Sequence, residues 1–187
     1  MMLVAGIALT ATFSCEKKKP TTDIIAPKPV REVKRGPQKM ADINQDRSVD
    51  WVGNKYRVVV KRTADTSLPM AKDESNHQFY DNAITLKIIR TDGSEFFNRT
   101  FTKADFSQYI PEDYRANGAL LGIVLDKADG DYLRFAASVG SPDVLSDQFI
   151  PLVMTIHRMG GVNITRDTQL DTGGADGSTT DEDEDGV

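Results

Sequence analysis

The chain has 187 residues, a net charge of −5 and 39 % hydrophobic residues, enough for one domain with a lean core. One cysteine excludes an internal disulfide framework and a cysteine-based zinc site, and two histidines leave little for a histidine metal cluster. No run of about 20 apolar residues is present, which excludes a spanning helix in a mature chain.

The charge is unevenly placed. Residues 1–15 carry none, residues 16–39 a net +5, residues 40–166 a net −2 and residues 167–187 a net −8. The pattern predicts a leader (1–14), an anchor cysteine with a disordered basic linker (15–39), a folded body (40–166) and a disordered acidic tail (167–187).

Met1 to Phe13 is almost wholly apolar, and Ser14 and Cys15 follow. The stretch has the length of a signal-peptide core. Cys15 stands where a bacterial lipoprotein signal places its acceptor, which predicts lipidation of that thiol and cleavage before it. Acyl chains then hold the protein at a bilayer, each buried CH₂ contributing about 0.8 kcal/mol. Two features depart from that pattern: Thr12 stands where Leu is usual, and no Lys or Arg precedes the apolar run. The competing reading is a buried N-terminal element with an inert cysteine. After Cys15 the chain turns polar, and Pro20, Pro27, Pro29 and Pro37 favour an extended tether.

Asp42, Asn44, Asp46, Ser48 and Asp50 have the oxygen spacing of a calcium loop, but Arg47 replaces the turn glycine and Gly53 the closing acid. The segment is expected to be an irregular polar approach to the first strand. In the tail, Asp181, Asp183 and Asp185 match only the first half of such a loop.

Lys55–Arg62 alternates, with Tyr56, Val58 and Val60 on one face. A long loop is expected from Thr63 to Tyr80. Ala83–Arg90 alternates again with Ile84, Leu86 and Ile88 inward, and Asp92-Gly93 turns the chain into a return strand Glu95–Thr102. Thr102 is placed to cap a short helix to Tyr109, and a second helical turn covers 111–115. Ala119–Leu125, apolar on both faces, is expected to be a central strand. Asp129-Gly130 then turns into 131–139, and 148–158 and 162–166 form a last hairpin. About seven strands with one or two short helices predict a mainly β domain, either an antiparallel sandwich or a partly closed barrel.

The hairpin Asp81-Asn82 through Arg90, Asp92-Gly93-Ser94, Phe96-Phe97, Arg99, Phe101, Lys103 and Phe106 resembles a family of uncharacterised lipoproteins from Bacteroidetes. The resemblance spans roughly residues 50–165. It implies a Gram-negative cell envelope and a β-rich domain, and no activity. The tract after Cys15 is basic, unlike the acidic tract associated with surface export, which favours the outer membrane facing the periplasm.

No nucleophile elbow, zinc-protease helix motif, Ser-x-x-Lys or phosphate-binding glycine loop occurs. His157 has the context of a structural strand histidine, and His77 lies in a polar loop. Candidate ligand-binding residues are Asp81, Asn82, Arg90, Arg99, Phe97 and Phe101, with Cys15 the lipidation site. For Asp81-Asn82 the competing reading is a turn bonding its own backbone. For Arg90 and Arg99 it is pairing with acids such as Asp92 and Glu95. No catalytic residue, cofactor or metal is assigned, and a slightly acidic body argues against nucleic acid. The chain is therefore expected to be a lipid-anchored envelope module binding a protein or glycan. The alternatives are a small apolar-ligand carrier with a barrel cavity and, third, a hydrolase holding His77 or His157 beside a carboxylate.

Overall fold

The computed structural model of the chain describes residues 36–168. The leader, Cys15, most of the linker and the acidic tail with its half calcium loop lie outside the described residues.

Strand β1 (Ile43–Trp51) pairs antiparallel with β2 (Asn54–Ala64). A two-stranded ribbon, β3 (Ala71–Lys72) and β4 (Gln78–Phe79), interrupts the return to β5 (Asn82–Arg90) and β6 (Glu95–Phe101). A 3₁₀ helix (Lys103–Tyr109) and helix α1 (Glu112–Asn117) cross over to β7 (Ala119–Asp129). Strands β8 (Tyr132–Gly140), β9 (Phe149–His157) and β10 (Val162–Arg166) complete the fold.

The strands form two antiparallel sheets, β1-β2-β5-β6 and β10-β9-β8-β7. They pack as an open sandwich, so the barrel alternative is corrected. Ile84, Leu86 and Ile88 of β5 are fully buried and share one core with Leu133, Phe135, Leu152 and Met154 of the other sheet. Period-two alternation puts these side chains on one face, and burying each contributes about 1.5–3 kcal/mol. Phe101 and Phe106 fill the end of this core. The 3₁₀ helix that carries Phe106 packs on β10. Asp105 starts that helix by accepting the Thr102 backbone N–H at 2.8 Å.

Three further expectations are corrected. The segment at 42–50 is not irregular: from Ile43 onward it is β1, with Asn44, Asp46, Ser48 and Asp50 exposed at alternate positions. Successive oxygens along a straight strand face cannot surround a cation. The loop at 63–80 contains the β3–β4 ribbon and the last residues of β2, so the strands number ten rather than about seven. Strand β7 is an edge of its sheet, not its centre. Its second apolar face is covered from outside: Leu121 packs with Met40, Ala71, Phe79 and Ala119 beneath the ribbon. A bulge after Leu120 also shifts the alternation, so Leu120 and Ile123 both face the core.

The turns β1–β2, β5–β6, β7–β8 and β9–β10 gather at one end. Trp51 Nε1 donates to Gly130 O at 3.2 Å, and the Arg158 N–H donates to Asp131 O at 2.9 Å. At the other end the chain enters the fold, with Gln38 bonded to Gln78 and Tyr80 alongside β4.

Candidate functional site

At the end where the chain enters, four polar side chains are buried: Arg62, Asp81, Asn82 and Lys103. Asp81 immediately precedes β5 and reaches across to the other sheet. Its Oδ1 accepts the N–H of Asn82 at 2.7 Å and that of Leu120 at 2.9 Å. Asn82 Nδ2 donates to Leu120 O at 2.9 Å and to Met40 Sδ at 3.1 Å. Arg62 donates to Leu121 O and, at 2.7 Å, to Ala41 O.

These contacts share one cause. An edge strand presents unpaired N–H and C=O groups, which must be satisfied when buried. Side chains of the first sheet take that role for β7 at Leu120 and Leu121. The same side chains hold Met40 and Ala41, just before β1.

Lys103 completes the cluster. Its Nζ donates to Gly118 O at 2.6 Å and stands 3.6 Å from Asp81 Oδ2. Burial pushes the Asp81 carboxyl above the usual carboxylate range, against the two N–H donors and the Lys103 charge. Burial also lowers the Arg62 guanidinium, partly offset by Asp42. Asp81 and Lys103 lie at the inner end of a cavity of about 210 Å³. Leu68, Pro69 and Ala104 form apolar walls, Thr102 and Ser107 contribute hydroxyls, and Arg115 stands half-exposed at the rim.

A second, more polar cavity of about 430 Å³ lies beside the β3–β4 turn and helix α1. There one carboxylate organises the turn. Asp73 Oδ1 accepts the N–H of Ser75 and of His77, and Oδ2 meets His77 Nδ1 at 2.8 Å. Burial opposes ionisation of Asp73, but the His77 contacts and the Ser75 N–H outweigh it and hold the carboxyl low. Glu74 accepts the hydroxyls of Ser141 and Ser146, tying the turn to the β8–β9 connection.

The histidines do not meet a nucleophile. Among the described residues neither ring is hydrogen-bonded to a hydroxyl: His77 faces Asp73, and His157 lies tilted against Tyr132, ring centres 4.9 Å apart, and accepts the Met159 N–H. Nor does any group of three or more His, Cys, Asp or Glu among the described residues suit a metal ion.

The other sequence-predicted residues are scattered. Asp81 and Asn82 are together: one bond is local, the Asn82 N–H to Asp81 Oδ1, as the turn reading expects, and the others reach Leu120 in the other sheet. Arg90 lies over Phe96 at 5.2 Å and donates to Ser94 and the Glu95 carbonyl at the β5–β6 turn. Arg99 lies nearer the opposite end, over Phe101 at 4.7 Å and paired with Asp105 at 2.6 Å. The two arginines are not brought together. Glu95 pairs with Lys87 instead, at 2.8 Å, and Asp92 accepts from Ser94. Phe101 is fully buried in the core, with half-buried Phe97 stacked on it at 6.4 Å.

Arg62 and Lys103 were missed as site residues. Signals for both exist: Arg62 continues the inward row Tyr56, Val58, Val60, and Lys103 precedes Phe106 by three residues on one helical face.

Residues 24–164 match the family model described as a domain of unknown function, DUF4738. The chain belongs to this family. The DUF4738 match takes in all of β1 to β9, both helices and the Asp81–Lys103 cluster. No curated protein matches the chain.

Proposed function

We propose that this DUF4738 chain is a lipid-anchored, non-catalytic binding module of the bacterial cell envelope. Cys15 carries the lipid, and the basic linker spaces the domain from the outer membrane on its periplasmic side. The partner is an envelope protein that meets the hairpin end.

The observation behind this reading is the arrangement of the two ends. The chain enters beside β4, and exposed apolar side chains lie at both ends: Val144, Leu145 and Phe149 at and beside the β8–β9 connection near the entry, and Val52, Tyr132 and Met159 at or beside adjoining hairpin turns at the far end. Nine residues of β1 separate the ends by roughly 30 Å. A module tethered at one end presents the other outward, and exposed apolar side chains there suit a protein contact.

The test is photo-crosslinking in intact cells, with a photoreactive side chain replacing Met159 or, at the opposite end, Ala116. A discrete adduct from position 159 and none from position 116 supports the reading. No adduct from 159, or the same adduct from both positions, overturns it.

A further inference from the structure

The cavity over the Asp81–Lys103 pair lies at the end opposite the exposed turns and is independent of any contact made there. Its inner wall is unusual for a structural ion pair. Asp81 is 1 % exposed, and its Oδ1 is fully engaged by two backbone N–H groups. Oδ2 accepts no hydrogen bond within 3.5 Å; Lys103 Nζ, its partner in the ion pair, stands at 3.6 Å. That separation is too long for a charge-assisted hydrogen bond, which closes to about 2.7–2.9 Å. Lys103 is also nine-tenths buried, and its three donor protons make one hydrogen bond, to Gly118 O. The sealed side-chain atoms without a partner among the described residues are Gln45 Oε1, Arg62 Nε and Asn82 Oδ1; Asp81 Oδ2 is not among them. Asp81 and Lys103 both line the cavity.

The loosely closed pair therefore leaves an acceptor oxygen and donor protons side by side facing an apolar-walled hollow. A cationic or anionic guest would add net charge beside a buried, neutral pair, which is costly, and the rim charge of Arg115 is already taken up by Glu112 at 2.7 Å. A neutral guest that donates to Oδ2 and accepts from Nζ avoids that cost. A primary carboxamide does both with adjacent atoms on the same side of one plane: N–H toward Asp81, C=O toward Lys103. A trans peptide bond points its N–H and C=O in opposite directions and cannot do so. The walls of Leu68, Pro69 and Ala104 accommodate a short alkyl body, and about 210 Å³ limits the guest to a small one.

We propose that this cavity binds a small neutral molecule bearing a primary carboxamide, an asparagine or glutamine side chain included, bridged between Asp81 Oδ2 and Lys103 Nζ.

The test is titration of the full-length, ¹⁵N-labelled chain, followed by NMR, with isobutyramide, isobutanol, isobutylamine and isobutyrate. Isobutyramide is expected to shift the amide signals of Asn82, Thr102, Ala104 and Leu120 saturably, with a Kd of about 1–10 mM. Isobutanol should bind roughly tenfold more weakly, and the amine and the acid should not saturate. Ala104→Trp fills the cavity mouth without touching the ion pair, so it should abolish the shifts in an otherwise native spectrum. Shifts that persist in Ala104→Trp overturn the location. Binding of the alcohol, amine or acid as tight as that of the amide overturns the ligand class. Absence of saturation with isobutyramide overturns the site, leaving a hydrated structural pair.

Discussion

Asp81 and Lys103 form an ion pair with Oδ2 and Nζ 3.6 Å apart, both side chains almost sealed, between two elements that the sequence separates by a whole hairpin. Removing one partner leaves a buried charge alone, which costs about 3–5 kcal/mol, whereas replacing both by apolar groups is often close to neutral. Lys103→Met should therefore lower stability by about 3–5 kcal/mol. The double variant Asp81→Leu/Lys103→Met should lose less than the sum of the singles. It still forfeits the N–H bonds of Asn82 and Leu120, so it should not recover wild-type stability. Urea unfolding of the four proteins in a double-mutant cycle measures the coupling.

The same carboxyl sets a pH dependence. Its folded pKa is raised by burial, so the folded state holds the proton more tightly than the unfolded chain. The Asp81 contribution therefore improves as pH falls from the folded pKa toward the ordinary carboxylate value, about 3.9. Asp65, Asp73, Asp92 and Glu95 run the other way: their folded pKa values are lowered, and their contributions fade as pH drops through them. Asp81→Asn removes only the first effect. Its stability deficit relative to wild type should widen between pH 7 and pH 4, as read by denaturant midpoints at each pH.

Val52 has φ of 50°, followed by Gly53 at 76°, at the β1–β2 turn. Two positive φ values in a two-residue hairpin loop mark a type I′ turn, in which asparagine is favoured at the first place. A β-branched residue there is strained, at a cost of about 1–2 kcal/mol. Val52→Asn should stabilise the fold by about 1 kcal/mol, raising Tm by roughly 2–4 °C. Calorimetry checks this, and a fall in Tm would show that Val52 contributes contacts worth more than its strain.

Gly140 pairs with Phe149 at the start of β9, and a Cβ placed on it would lie 2.6 Å from Phe149 Cβ. Gly140→Ala should cost about 1–3 kcal/mol through overpacking. Gly122, with open space around its Cβ position, is the control: Gly122→Ala should be neutral or stabilise by about 0.5 kcal/mol.

The inward rows of β2 and β5 were legible because one face is buried and the other wet, so sequence alternation and packing coincide. The turn at Asp92-Gly93 was legible because Gly93, at φ of 85°, meets a local backbone demand. Strand β1 was not, because its apolar signal is confined to Ile43, Val49 and Trp51 and is interrupted by Gln45 and Arg47. The edge position of β7 was not legible either, because the ribbon that covers its outer face is joined to it by tertiary contact alone.

The candidate site divides along the same line. Asp81 and Asn82 stood out as an unusual pair before a strand, but their partners Leu120 and Lys103 depend on the crossover between sheets. Arg90 and Arg99 looked like one anion site only while the hairpin was imagined without its length: in the fold they serve opposite ends of β5 and β6, each over its own ring.

The proposed lipid at Cys15 is the premise of the envelope role, since only attachment at one end would give the opposite end its part as a contact surface. Metabolic labelling with radioactive palmitate, in cells making the wild-type chain or Cys15→Ala, measures it directly. The account predicts label on the wild-type chain and none on the variant. An unlabelled wild type, or label retained after Cys15→Ala, contradicts it.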